Sequence, residues 1–143
     1  MNGFLLDTNL PSELFKPQPD RHVLDWLESY PKSSLFLSVV TLGELRKGAT
    51  LLPSSAKRSR IEHAISTLVP FWFSGRILPV TQAVAERWGV FEGERQRAGR
   101  PLGVADGMIA ATAFEYGFTF VTRNTKDFVN LDLNLFNPWA IAP

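Results

Sequence analysis

Short apolar runs, separated by longer stretches of helical periodicity, constrain this chain more than any other feature. Phe4-Leu5-Leu6, Leu35-Phe36-Leu37, Ile77-Leu78-Pro79-Val80 and Phe118-Thr119-Phe120-Val121-Thr122 are too short for packed helices. They suit strands buried on both faces. A weaker fifth run lies near Leu131 to Phe136. A short helix is expected after Asp7-Thr8-Asn9, ended by Pro17 and Pro19. Asp20 is placed to cap a helix through about Tyr30 that offers Val23, Leu24, Trp26 and Leu27 for burial. Leu42, Leu45, Ala49 and Leu52 share one helical face, as do Ile61, Ala64, Ile65 and Leu68 beyond Pro53-Ser54-Ser55. Thr81 opens a long helix to about Ala98, carrying Val84, Trp88 and Phe91 and closed by Gly99. After the loop Arg100-Pro101-Leu102-Gly103, a last helix runs from about Val104 to Tyr116, with Gly117 as its stop. This alternation predicts an α/β fold with a mainly parallel sheet of about five strands and helices on both faces. No repeat or linker interrupts the pattern, and residues 1–143 read as a single domain.

Composition removes several chemistries. Cysteine is absent, which excludes a disulfide, a thiolate zinc site and a cysteine nucleophile. His22 and His63 are too few and too far apart in sequence to form a convincing metal pair. The 15 basic and 14 acidic side chains leave a net charge of +1, which neither demands nor forbids a nucleic-acid partner. No segment has the ~18 consecutive apolar residues of a membrane span. The opening segment lacks a basic region and is interrupted by Asp7, unlike a secretory signal. The expectation is a cytoplasmic protein with no membrane partner.

In parallel sheets, ligands bind beyond the carboxyl ends of the strands, near a switch in strand order. Three acids are notable for that reason. Asp7 ends the first strand, Glu44 lies in the first turns of the helix after the second, and Asp106 begins the helix before the fourth. Asp106 shares its helical face with Ile109, Ala110 and Ala113, so it needs a partner, because burying a lone charge costs several kcal/mol. Each acid also has a purely local role available: Asp7 as a cap, Glu44 and Asp106 as residues suited to a helix N-terminus. Spacing alone does not bring the three together.

Leu6-Asp7-Thr8-Asn9, Ser38-Val39-Val40-Thr41-Leu42-Gly43-Glu44-Leu45, Gly103-Val104-Ala105-Asp106-Gly107-Met108-Ile109-Ala110-Ala111 and Val121-Thr122-Arg123-Asn124-Thr125-Lys126-Asp127-Phe128 resemble, in order, the four signature blocks of PIN domains. Together with the closing Asn137-Pro138-Trp139, they are most similar to VapC toxins, particularly the FitB-like group, over essentially the whole chain. The resemblance implies a metal-dependent endoribonuclease, the toxin of a type II toxin–antitoxin system. It implies that Asp7, Glu44 and Asp106 converge on one or two Mg²⁺ ions, with Mn²⁺ able to substitute. Asp7 and Asp106 are then metal ligands, and Glu44 is a ligand, directly or through water, that helps to orient the nucleophile. Thr8 and Asn9 would steady the Asp7 loop, or serve only as turn residues. Implied partners are an RNA substrate, a cognate antitoxin, a second copy in a homodimer, and promoter DNA only through the antitoxin.

The chain departs from the family pattern at one place. Many PIN domains carry a fourth acid after the fourth strand, where this sequence has Asn124, with Asp127 as a nearby substitute and Arg123 as a residue that supports the site or touches substrate. Two basic groups, Arg46, Lys47, Lys57, Arg58 and Arg60, then Arg95, Arg97 and Arg100, stand as RNA-phosphate contacts or as ordinary solvated helix faces. Two other functions stay open at this level. One is a non-cleaving regulatory module in an antitoxin–promoter complex. The other is a phosphorylated Asp7, as in receiver or phosphatase domains, although Asn9 stands where such a phosphatase has a second Asp.

Overall fold

The computed structural model describes residues 3–139. Five short strands, β1 (Phe4–Leu6), β2 (Leu35–Ser38), β3 (Ile77–Leu78), β4 (Thr119–Val121) and β5 (Leu135–Phe136), form one sheet in the order β3-β2-β1-β4-β5. Every neighbouring pair is parallel, with Leu5 opposite Phe36 on one side and Phe120 on the other. The helices are α1 (Asn9–Leu14), α2 (Arg21–Glu28), α3 (Val39–Leu51), α4 (Ala56–His63), α5 (Val69–Trp72), α6 (Gln82–Arg97) and α7 (Val104–Tyr116). No helix among the described residues is long and apolar enough to cross a membrane.

Side-chain alternation along the strands divides the core in two. Leu5 and Phe120 point to one face and pack with Val84 and Phe91 of α6 and Ile109, Ala110 and Ala113 of α7. Their neighbours Leu6 and Val121 point to the other face, with Leu35 and Leu37, and meet Leu10 of α1, Val23 of α2, and Val69 and Phe73 at α5. A smaller cluster of Leu45, Ala49 and Ile65 joins α3 to the segment after α4. The expected caps are formed. Asp20 accepts from the His22 and Val23 N–H groups, Thr81 Oγ1 accepts from Val84 N–H, and Gly117 ends α7 at φ +67.

Several boundaries differ from the sequence expectation. The third strand stops at Leu78, because Pro79 has no N–H to continue the ladder and Thr81 already caps α6. The fourth spans only Thr119–Val121 and the fifth only Leu135–Phe136, with Asn130 and Asp132 at positive φ turning the chain before it. The helix expected around Ile61–Leu68 runs on. A π turn at Ala64–Leu68 joins α4 to α5, and Pro70 fits as the second residue of α5, next to the widened turn.

The order of connections determines where a ligand can bind. The chain leaves β1 toward β2 and β3, then crosses to β4 and β5 on the other side, so strand order reverses between β1 and β4. The crevice beyond the carboxyl ends of these two strands is the switch point. Beside it, α7 packs closely on α6 through Gly107, where an added Cβ would stand 2.5 Å from Trp88 Cδ1. Gly107→Ala is therefore expected to cost about 1–3 kcal/mol by overpacking. In a chain of this size that lowers Tm by roughly 2–4 °C per kcal/mol. Differential scanning calorimetry measures it, and an unchanged Tm would show that Trp88 yields freely.

Candidate active site

Asp7 follows β1 at this crevice. Its backbone N–H still bonds to the Val121 carbonyl of β4 at 2.8 Å, so the sheet itself fixes its position. The residue is only 5% exposed. Thr122 Oγ1 donates to Asp7 Oδ2 at 2.8 Å, and the Thr8 N–H donates to Oδ1 at 2.8 Å. No lysine or arginine pairs with it in the described structure. Burial drives the Asp7 pKa from 3.8 to about 6, opposed by the Thr122 and Thr8 hydrogen bonds and reinforced by the charges of Asp106 and Glu44.

Those three acids line one open depression of about 340 Å³, together with Thr8, Asn9, Ser12 and Asn124. Glu44 comes from the second turn of α3, whose start is fixed by Ser38 Oγ accepting from Val40 N–H at 3.0 Å. Asp106 is the third residue of α7, and its pKa is also raised, first by lost hydration and then by Glu44 and Asp127. Among the described residues the acids do not close into a ready-made cage of three ligands. They flank the depression, and no basic side chain lines it.

One stripe of α6 seats the segments that carry Asp106 and Asn124. Trp88, Glu92 and Arg95 follow each other at spacings of four and three, so they share a face. Trp88 packs against Gly107, one residue beyond Asp106. Buried Glu92 accepts from the Leu102 and Gly103 N–H groups at 3.1 and 3.2 Å, fixing the loop that opens α7. Arg95 donates to the Arg100 and Asp127 carbonyls at 2.9 and 3.0 Å, which ties that loop to the turn after β4. Arg95 thus holds the backbone, a role different from the phosphate contact considered from sequence.

The remaining residues separate by position. Thr122, fully buried, joins Asp7 to two others: its Oγ1 accepts from Asn9 Nδ2 at 3.4 Å and from Asn124 N–H at 3.1 Å. Thr8 Oγ1 stands 3.5 Å from buried Thr41 Oγ1. Asn124 lines the depression, whereas Asp127 lies in the following 3₁₀ turn, and its carboxylate acts on Asp106 through its charge. Arg123 does not line the depression; its guanidinium lies 5.4 Å from the Trp139 ring centroid. Trp139 in turn donates from Nε1 to buried Glu13 at 3.2 Å, which gives the closing Asn137-Pro138-Trp139 segment a structural role. Thr122, Glu92 and Ser12 escaped sequence reasoning. Only Thr122 left a signal, as the hydroxyl residue within the fourth motif.

The donor set suits a hard divalent cation. Carboxylate oxygens without a cationic partner surround an open space, and Asn9 Oδ1 is buried without a partner among the described residues. A small cation such as Mg²⁺ is commonly held by one or two carboxylates and keeps several waters, so an unclosed carboxylate half-site is the form expected.

The chain is similar to known proteins along nearly its whole length. Residues 4–133 match the family model described as PIN domain. The chain is 38% identical over 135 residues to Toxin FitB of Neisseria gonorrhoeae, covering 94% of this chain and 97% of that protein. It is 36% identical over 138 residues to VapC ribonuclease Y4jK of Sinorhizobium fredii, covering 96% and 99%. Among solved structures, FitAB bound to a DNA fragment superimposes with a TM-score of 0.87 at 36% identity, covering 98% of both chains.

The raised Asp7 pKa makes a stability prediction with a definite sign. A carboxyl whose folded pKa exceeds its unfolded value favours the folded state while protonated, and that contribution is lost as pH rises from 3.8 through about 6. Asp7→Asn removes the effect. In EDTA, the stability of Asp7→Asn relative to wild type should therefore grow by up to about 3 kcal/mol between pH 4 and pH 7. Urea unfolding at the two pH values reads the difference; a gap independent of pH would mean that Asp7 ionises normally.

Proposed function

The chain belongs to the PIN-domain family, and from that premise we propose that it is a divalent-metal-dependent endoribonuclease, the toxin of a type II toxin–antitoxin pair. The observation that carries this reading is the buried Asp7 carboxylate, without a cationic partner, facing Glu44 and Asp106 across one depression. Mg²⁺, with Mn²⁺ as a substitute, is the proposed cofactor. When bound, it supplies positive charge that polarises the phosphodiester, favours ionisation of the attacking water and stabilises the leaving oxygen.

The protein's residues divide the remaining work. Asp7, which follows the sheet, and Asp106, in the first turn of α7, would hold the ion. Glu44 would be a further ligand, directly or through water, and would help to orient the attacking water. Thr122 and the Thr8 N–H keep the Asp7 carboxylate in a single orientation, so little reorganisation accompanies the reaction. Asn124 supplies an amide oxygen, which can hold a metal or its water but adds no negative charge. Hydrolysis then leaves a 3′-hydroxyl and a 5′-phosphate. The proposed partners are an inhibitory antitoxin, promoter DNA reached through that antitoxin, and a second copy of this chain. FitB's identity as a toxin, and the solved FitAB assembly on DNA, support the first two.

The test is cleavage of total RNA by purified, antitoxin-free protein, with and without Mg²⁺. Asp7→Asn, Glu44→Gln and Asp106→Asn should each lower the rate by roughly a hundredfold or more, the scale of losing one electrostatic stabiliser. Wild-type cleavage by Asp106→Asn would show that the site is assigned wrongly. In the same assay, Asn124→Asp should tighten Mg²⁺ binding by restoring a carboxylate. Asp127→Asn should cost less than any of the three neutral variants. A loss from Asp127→Asn as complete as that from Asp106→Asn would transfer the fourth position to Asp127.

A further inference from the structure

An acidic depression repels the phosphates it must admit, so a nuclease of this design needs cations close by. Several basic side chains are engaged in the fold. Arg58 pairs with Glu62 and the Leu52 carbonyl, and Arg87 with Glu115. Arg76 is held by the Leu35, Ser74 and Trp72 carbonyls, Arg95 by those of Arg100 and Asp127, and Arg46 by the Ser66 hydroxyl. Among the described residues Lys47, Arg97, Arg100 and Lys126 have no acidic or hydrogen-bonding side-chain partner, and nor do Lys57 and Arg60. Lys57 and Arg60 differ from the others in position.

Both also line a trough that opens directly from the depression. Ser12 and Glu44 form a wall common to the depression and the trough. Beyond them the trough passes Phe15 and Lys57 on an apolar floor that includes Ile61, and continues past Arg60 toward Trp72. Glu44, at the mouth, is the one acid along its walls among the described residues. Lys57 and Arg60 are three residues apart on α4, so their Cβ atoms lie about 5–6 Å apart on one face. That separation suits two successive phosphates of an extended strand. Neutralising them leaves sugars and base faces for the apolar floor.

We propose that unpaired RNA enters the depression over Ser12 and Glu44 along this trough, with Lys57 and Arg60 of α4 neutralising phosphates on one side of the cleaved bond. The proposal rests on the ribonuclease reading, but its test does not require cleavage. A fluorescein-labelled, unpaired RNA oligonucleotide is titrated in EDTA with wild type, Lys57→Gln/Arg60→Gln, and Lys32→Gln, and binding is read by anisotropy across a salt series. Lys32 is exposed, precedes β2 and lies outside the trough.

The double variant should bind more weakly, and the slope of log K against log salt should fall by about 1.4, or ~0.7 for each single-strand phosphate that is no longer neutralised. Lys32→Gln should retain the wild-type slope. Thermal melting and Mn²⁺ affinity should be unchanged in the double variant, which separates weaker RNA binding from damage to the fold or the acidic site. Three results overturn the proposal: a wild-type slope in the double variant, an equal loss in Lys32→Gln, or no RNA binding by wild type. A double variant that keeps its RNA affinity but loses that for an inhibitory protein would overturn it too, making the trough a protein-docking groove. Failure of wild type to cleave RNA with Mg²⁺, while binding shows the predicted slope change, would count against the ribonuclease reading alone.

Discussion

The burial of the Asp7 carboxylate is the constraint on which the site depends. An acid at 5% exposure usually has an arginine or lysine beside it, and here it has a hydroxyl and one peptide N–H. Those two hydrogen bonds favour the charged form but do not outweigh the lost hydration, since the pKa still rises to about 6. The nearest other charges are carboxylates, which make ionisation harder. A bound divalent cation would relieve both effects together. The fold therefore accepts a local instability that a bound divalent ion would reverse, and ion binding would stabilise the folded state by mass action.

The surrounding structure keeps that arrangement in place. Asp7 and Thr122 leave adjacent parallel strands at the switch point, so the sheet register fixes their separation. Asp106 depends on α7, and the start of α7 depends on Glu92 and on close contact between Gly107 and Trp88. Arg95 extends the same α6 stripe to the turn behind Asn124. These contacts act on the backbone, and they resist the small displacements that catalytic sites tolerate poorly.

Much of this is legible in the sequence because it is encoded locally. Apolar runs mark the strands, and Asp20, Thr81 and Gly117 mark helix ends, since a cap is a contact between near neighbours in the chain. Asp7, Glu44 and Asp106 are legible as motifs, and the fold does bring them to one depression. The connections between distant segments are not legible. Thr122 reaches Asp7 across 115 positions, and its place in the fourth motif does not reveal that partner. Glu92 resembles any solvated helix glutamate until its partners, the Leu102 and Gly103 N–H groups, are known. Arg95 reads as a surface cation for the same reason.

Anomalous diffraction from crystals of the isolated chain grown with Mn²⁺ tests the central idea most directly, because it locates the ion without relying on any activity. A manganese peak in the depression beside the Asp7 and Asp106 carboxylates, absent in Asp7→Asn crystals, is the predicted result. A peak only elsewhere on the molecule, or one that persists unchanged beside Asn at position 7, would contradict the assignment of the buried carboxylate as the anchor of the site.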